Sequence, residues 1–324
     1  MTPRRGLLLA AGAALAPRGA LAQEEWPART VTILVPFAPG SSSDIIGRAV
    51  AQGMAASLGK PVVVENRPGA TGEVGARAVI RSAPDGHTLM HAPISTWAIN
   101  AALRPNLGYD PQTQLTRITQ TVRTPNVLVA NPRQVPATDL PGLLEWPRRE
   151  KGKASYSTSG IGASDHLTME MFKQATGTDA AHVPYAGGAP ATTDLIAGAV
   201  QLSFQNLGSI APHIRDGRVR PILITADRRS PLLPEVPTAT EAGLRDFVVY
   251  SWQGLGGPPG MAPALVREVH ARAVAALRVP ATLERLEGTG FEVVGSAPEE
   301  FAAFQAGEIA RWRRVVQAGG ITPD

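Results

Sequence analysis

Hydroxyl-bearing residues gather at two places in this 324-residue chain, each time in front of an aspartate: Ser41-Ser42-Ser43-Asp44 and Ser157-Thr158-Ser159-Gly160-Ile161-Gly162-Ala163-Ser164-Asp165. Both follow a short apolar run and precede a helical pattern. A helix that begins in a serine-rich turn offers free N–H groups, hydroxyls and the positive end of its dipole, which together suit an anion and above all a carboxylate. Serine and aspartate are also the preferred N-cap residues, so the same letters fit two caps that bind only their own backbone. The repetition of Ser-Asp at both helix entrances brings the first reading level with the second. Two such turns facing each other across a cleft would hold two ends of an anion.

Other chemistries fit less well. Gly160-Ile161-Gly162 opens like a dinucleotide fingerprint, but Asp165 stands at the third glycine position, and no GxxxxGK[ST] phosphate loop occurs. Ser164 has Gly162 two residues before it but His166 two residues after, so it is no nucleophile elbow. Asp165 and His166 read as a polar pair at a helix start. His87 and His91 would share a strand face, yet no third ligand is near in sequence. Tyr185 fits core packing and a cleft wall equally, and the carboxylates show no pairing suited to acid–base work.

The elements that must position the two turns alternate in type. Apolar residues 31–35 read as a strand, and Ile46, Val50, Met54 and Leu58 recur every four residues as one helix face closed by Gly59. Strands at 62–65 and 88–91 flank a tight loop, Pro68 to Gly72, and a helix at 73–82. Residues 109–135 read as a first crossing between lobes, with one strand at 127–130. A second series follows: helix 140–150, strand 154–157, helix 165–175, strand 182–184, helix 190–197, strand 201–205, helix 209–216 and strand 220–225. Residues 227–237 are proline-rich. A strand at 247–255 leads to the breaker 256–260, taken as the return crossing, and helices at 264–277, 281–287 and 299–317 complete the first lobe. This alternation predicts two α/β lobes with mostly parallel sheets and ligands beyond the carboxyl ends of the strands.

Composition sets further bounds. Arg4-Arg5 precede the apolar run 7–15, and Ala20-Leu21-Ala22 is a small-x-small cleavage site, so residues 1–22 read as a signal peptide removed near Ala22. The paired arginines fit a twin-arginine leader and an ordinary secretory n-region alike. Without Arg4, Arg5 and Arg18 the balance is 28 basic against 27 acidic residues, net +1, which gives no argument for nucleic acid. No cysteine is present, so disulfides and thiolate chemistry are excluded.

The segments PFAPGSSSD, VVVENRPGATG, PDGHTL, GLGYDP, YSTSGIGASDH, HVPYAGGAPATTDLIAGAV, LPEVPTATEAG and WQGLGGPPGMAP together resemble the signatures of the tripartite tricarboxylate transporter receptors, also called Bug proteins. The resemblance spans essentially the whole exported chain. It implies an α/β type II periplasmic binding protein fold, with residues 23–125 plus 251–324 as lobe 1, 126–250 as lobe 2 and a ligand cleft between them. It implies a monomer in the periplasm, a small carboxylate ligand, large and small membrane subunits as partners, and no cofactor, metal or catalytic turnover. By position, Ala38, Ser41, Ser42 and Ser43 would hold a carboxylate from lobe 1. Ser159, Gly160 and Ser164 would do so from lobe 2, with Tyr185 and Asn206 lining the cleft. The chain departs from the family pattern at Ser41, where a glycine is common, His87 (tyrosine), Ala186 (lysine) and Gln201 (aspartate). A receptor that reports to a membrane sensor, and an exported enzyme using the same cleft, are the alternatives.

Overall fold

A computed structural model describes residues 26–149 and 154–323, so the leader 1–22 and the end of the helix expected at 140–150 lie outside the described residues. The chain runs through β1 (Val31–Val35), α1 (Ser42–Leu58), β2 (Val62–Asn66), α2 (Glu73–Ile80), β3 (Thr88–Pro93), α3 (Asn100–Leu103) and β4 (Thr116–Ala130). It continues through α4 (Leu140–Arg149), β5 (Ser155–Thr158), α5 (Ser164–Thr176), β6 (Ala181–Pro184), α6 (Gly188–Ala197), β7 (Leu202–Asn206), α7 (Leu207–Arg215) and β8 (Arg220–Ile224). It ends with β9 (Tyr250–Gly257), α8 (Pro263–Leu277), α9 (Pro280–Gly288), β10 (Glu292–Val293) and α10 (Pro298–Gly319).

The strands follow the order β2-β1-β3-β9-β4-β7-β5-β6, with β8 and β10 also paired to β4. β2, β1 and β3 are parallel, as are β6, β5 and β7, while β9 and β4 run antiparallel to their neighbours. The parallel strands place the turns after β1, β2 and β5 on the carboxyl side of the sheet, where α/β proteins bind ligands. On α1, Ile46, Val50 and Met54 are fully buried against Val31 and Ile33 of β1, as their spacing requires.

β4 is the element the sequence concealed. Only 127–130 was expected as strand, yet the strand begins at Thr116. Its first part pairs with β9 as far as Pro125 opposite Tyr250, and from Asn126 onward it pairs with β7. Thr119, Thr121 and Thr124 are buried, a pattern that reads as polar loop. Thr119 instead donates to the Ser296 carbonyl at 2.8 Å and Thr121 to the Gln253 carbonyl at 3.1 Å. β9 pairs with β4 from Tyr250 and with β3 from Gln253, ahead of the breaker at 256–260 that was expected as the return crossing.

The segment after β3 was also missed. Ser95–Ile99 forms a π-helical turn that runs into α3, and it buries Trp97 completely against Phe301. Glycines in β9 make room for this ring, since a Cβ on Gly256 would lie 2.4 Å from the Trp97 indole. α10 does more than complete the first group of strands: Gln174 of α5 donates to the Val315 carbonyl, and Arg311 to that of Val248. Among the described residues no helix is long and apolar enough to cross a membrane.

Candidate functional site

A cavity of about 610 Å³ opens between the turn after β1 and the turn after β5. Eight of the nine residues singled out in the sequence line it: Ser41, Ser42, Ser43, Ser159, Gly160, Ser164, Tyr185 and Asn206. Ala38 does not. It is exposed, and its carbonyl accepts the Ser41 N–H at 3.2 Å to close the turn.

The first turn is organised by Asp44. Its Oδ2 accepts the Gly40 N–H at 3.0 Å and Arg48 Nε at 3.0 Å, and its Oδ1 accepts Asn66 Nδ2 at 2.9 Å. These bonds, against the cost of burial, hold its carboxyl below the usual range. Ser41 caps α1 by accepting the Asp44 N–H at 3.3 Å, so this departure from the family pattern serves the helix. The backbone N–H groups of Ser42 and Ser43 have no partner among the described residues and stand at the positive end of a 17-residue helix. His91 supports this turn from below. It is fully buried, with Nδ1 donating to the Ser43 carbonyl at 3.1 Å and Nε2 lying 3.0 Å from Thr121 Oγ1. Burial lowers its pKa to about 4, so the ring is neutral.

The second turn has the same layout but uses its donors differently. Asp165 Oδ2 accepts both the Ser159 N–H and the Ser159 hydroxyl at 2.6 Å. The Gly160 N–H reaches Thr158 Oγ1 at 3.3 Å, and the Gly162 N–H donates to His166 Nδ1 at 3.1 Å. That bond requires an unprotonated Nδ1, and burial lowers the His166 pKa to about 4. The ring stacks on His182 at 4.1 Å between centroids and is not part of the cavity lining. Unlike Asp44, Asp165 has no paired cation among the described residues, and burial raises its carboxyl to about 6 in spite of the Ser159 bonds. The two turns thus match in outline and differ in chemistry: Ser42 and Ser43 keep free amides, whereas Ser159 and Gly160 donate theirs inward. Ser164, at the start of α5, lines the cavity, and its hydroxyl has no partner among the described residues.

Tyr185 forms a wall, its hydroxyl donating to Asp194 at 2.7 Å, and Asn206 turns a buried Oδ1 with no partner among the described residues. The remaining departures lie outside the cavity lining. Ala186 is exposed, His87 accepts the Arg29 N–H at 3.4 Å, and Gln201 ties Ser155 to Gln134. Sequence reasoning missed Phe37, Thr71, Ser95, Arg104, Asp165 and Ser251. No arginine sits in either turn, but Arg104 at the end of α3 brings a guanidinium to the cavity. Thr71 was within reach, since the loop 69–72 was expected at a strand end. Nothing local in the sequence marked Arg104.

A larger cavity, about 770 Å³, lies between residues 226–232 and the α9–β10 region, lined by Pro125, Leu207, Leu283 and Phe291 beside Arg228, Arg229 and Glu292. Its arginines are already paired, Arg228 with Glu292 at 3.6 Å and Arg229 with Glu241, outside the lining, at 2.8 Å. The smaller cavity has the convergent uncommitted donors that a ligand site needs.

The profile of the tripartite tricarboxylate transporter family receptor matches residues 46–321. The chain belongs to that family. The receptor is 33% identical over 316 residues to protein BugT of Bordetella pertussis, covering 97% of this chain and 96% of BugT. Two solved structures from Rhodopseudomonas palustris are similar to it throughout. One, solved with adipate, has a TM-score of 0.83 at 32% identity over 93% of this chain and all of that one. The other, MatC with bound malate, has a TM-score of 0.79 at 33% identity over 90% of this chain and all of that one. The receptor's fold is therefore that of the periplasmic binding proteins of this family.

Proposed function

We propose that this receptor binds a small carboxylate between the turns after β1 and β5 and delivers it to the large and small membrane subunits of a tripartite tricarboxylate transporter. The observation that carries this reading is the pair of uncommitted amides, Ser42 and Ser43, facing the Ser164 hydroxyl across one cavity. An anion there gains about a kcal/mol from an exposed helix terminus and more once water is expelled. A micromolar ligand needs about 8 kcal/mol in all, so closure around it supplies much of the rest.

On this reading residues 23–125 with 251–324 form one lobe and 126–250 the other. The change of strand partners between Pro125 and Asn126, opposite Tyr250, supports those boundaries. Residues 1–22 direct export to the periplasm by the twin-arginine or general route, and the receptor acts as a monomer without a cofactor. The reading is of a binder and not an enzyme, which the inward-facing, stacked His166 supports, since it leaves Ser164 without a base. Two relatives of the same fold hold adipate and malate, both small carboxylates.

A thermal-shift screen of residues 23–324 against mono-, di- and tricarboxylates, amino acids and neutral solutes tests it. A native-state ligand at a hundredfold excess over Kd adds about 2.7 kcal/mol. A melting shift confined to carboxylates is expected. A shift from neutral solutes alone would overturn the reading.

A further inference from the structure

Arg104 is held in place by a frame of its own. Its backbone N–H closes α3 on the Asn100 carbonyl at 2.9 Å, and the buried Asn100 side chain donates to the Thr71 carbonyl at 2.9 Å. Ala70 and Thr71 take left-handed backbone angles, φ 46° and 54°, which are strained for residues other than glycine. That strained loop turns the Thr71 hydroxyl towards Arg104 Nη2, at 3.4 Å.

The guanidinium itself is under-used. Arg48, Arg77, Arg123 and Arg272 all pair with carboxylates, whereas Arg104 makes no ion pair among the described residues. Its Nε is buried and without a hydrogen-bond partner. Asp165 shares the cavity, but its oxygens are taken by Ser159 and the His166 N–H. A half-buried cation with an unmet donor is unfavourable unless an anion completes it.

We infer that Arg104, positioned by Thr71, is the residue that sets this receptor's preference for a ligand's second carboxylate, at a subsite distinct from the Ser42–Ser43 amides. This rests on the cavity being the ligand site, as proposed above, and adds the residue that sets selectivity. The guanidinium supplies a charge-assisted, planar contact to the ligand's far carboxylate, and Thr71 fixes its rotamer. Lysine cannot reproduce the two-donor fork, so charge alone is not the whole contribution.

Calorimetric titration of the wild type, Arg104→Gln and Arg104→Lys with α,ω-dicarboxylates of four to eight carbons and with monocarboxylates of matched length tests this. One charge-assisted contact of ordinary strength corresponds to about 10- to 100-fold in affinity. The wild type is expected to favour its best dicarboxylate by at least that factor over the matched monocarboxylate. Arg104→Gln is expected to remove the preference, weakening the dicarboxylates at least tenfold more than the matched monocarboxylates, with Arg104→Lys intermediate; melting temperatures show that each variant is folded. Equal weakening of both ligand series by Arg104→Gln, or none, would refute the subsite and leave the receptor reading intact. Wild type that binds neither series would overturn both.

Discussion

His91 sits where acid should loosen the first serine turn. The ring is fully buried under the Ser43 carbonyl, and burial depresses its pKa to about 4 against 6.5 for a free side chain. The unfolded chain therefore takes up this proton first as the pH falls. The stabilisation is present in full above pH 6.5 and drains away as the pH drops towards 4. Between pH 7.5 and 5.0 these values correspond to a loss of about 2 kcal/mol from this residue alone. For a chain of this size that is about 3 °C in Tm. Other groups titrate in the same window, so the informative quantity is the difference between the wild type and His91→Asn. The substituted amide can still donate towards Ser43, and the cavity it leaves does not titrate. Urea unfolding followed by tryptophan fluorescence at both pH values should show the wild type's advantage shrinking by about 2 kcal/mol at pH 5.0. An advantage of the same size at both would refute the neutral, buried histidine as the support of the turn.

Asp165 should behave in the opposite sense. Its carboxyl is raised to about 6, so its contribution is present at low pH and is lost as the pH rises from about 4 to 6. The stability of Asp165→Asn relative to wild type should accordingly increase by about 2 kcal/mol between pH 4.5 and 7 in urea titrations, and a constant difference would contradict the assignment. Ser42→Pro removes one free amide at the first helical position, where proline is well tolerated. Its Tm should stay within a few degrees of wild type while carboxylate affinity falls about tenfold beyond Ser42→Ala, as read by calorimetry. Equal affinities of the two variants would remove the amide from the site. Gly162→Ala places a Cβ 2.8 Å from Leu103 Cδ2 at φ +76°, next to Arg104. It should cost about 1–2 kcal/mol by denaturation and weaken ligand binding, and a neutral substitution would show that the second turn and α3 are not in fixed contact.

Much of the candidate site was legible because its signals are local. The Ser-rich turns, the Gly59 cap and the four-residue spacing on α1 each depend on a few neighbouring residues, and the structure places both turns on one cavity. The Ser-Asp echo was visible as letters. What it could not reveal is that Asp44 is matched by Arg48 while Asp165 has no paired cation among the described residues and takes the Ser159 donors for itself. β4 was hidden because Thr119 and Thr121 satisfy their hydroxyls on carbonyls of distant segments, so a buried strand carries a polar sequence. Arg104 was hidden for a similar reason. It reaches the cavity only because the π-helical turn after β3 swings α3 towards the loop at 69–72, a placement set by Trp97 packing beneath β9.

The most direct test of the central claim is a crystal structure of the receptor with the carboxylate that gives the largest melting shift. One carboxylate group should lie within hydrogen-bonding distance of the Ser42 and Ser43 amides, between the turns after β1 and β5. A ligand seated instead in the groove lined by Pro125, Leu207 and Phe291, with the serine turns untouched, would contradict the account.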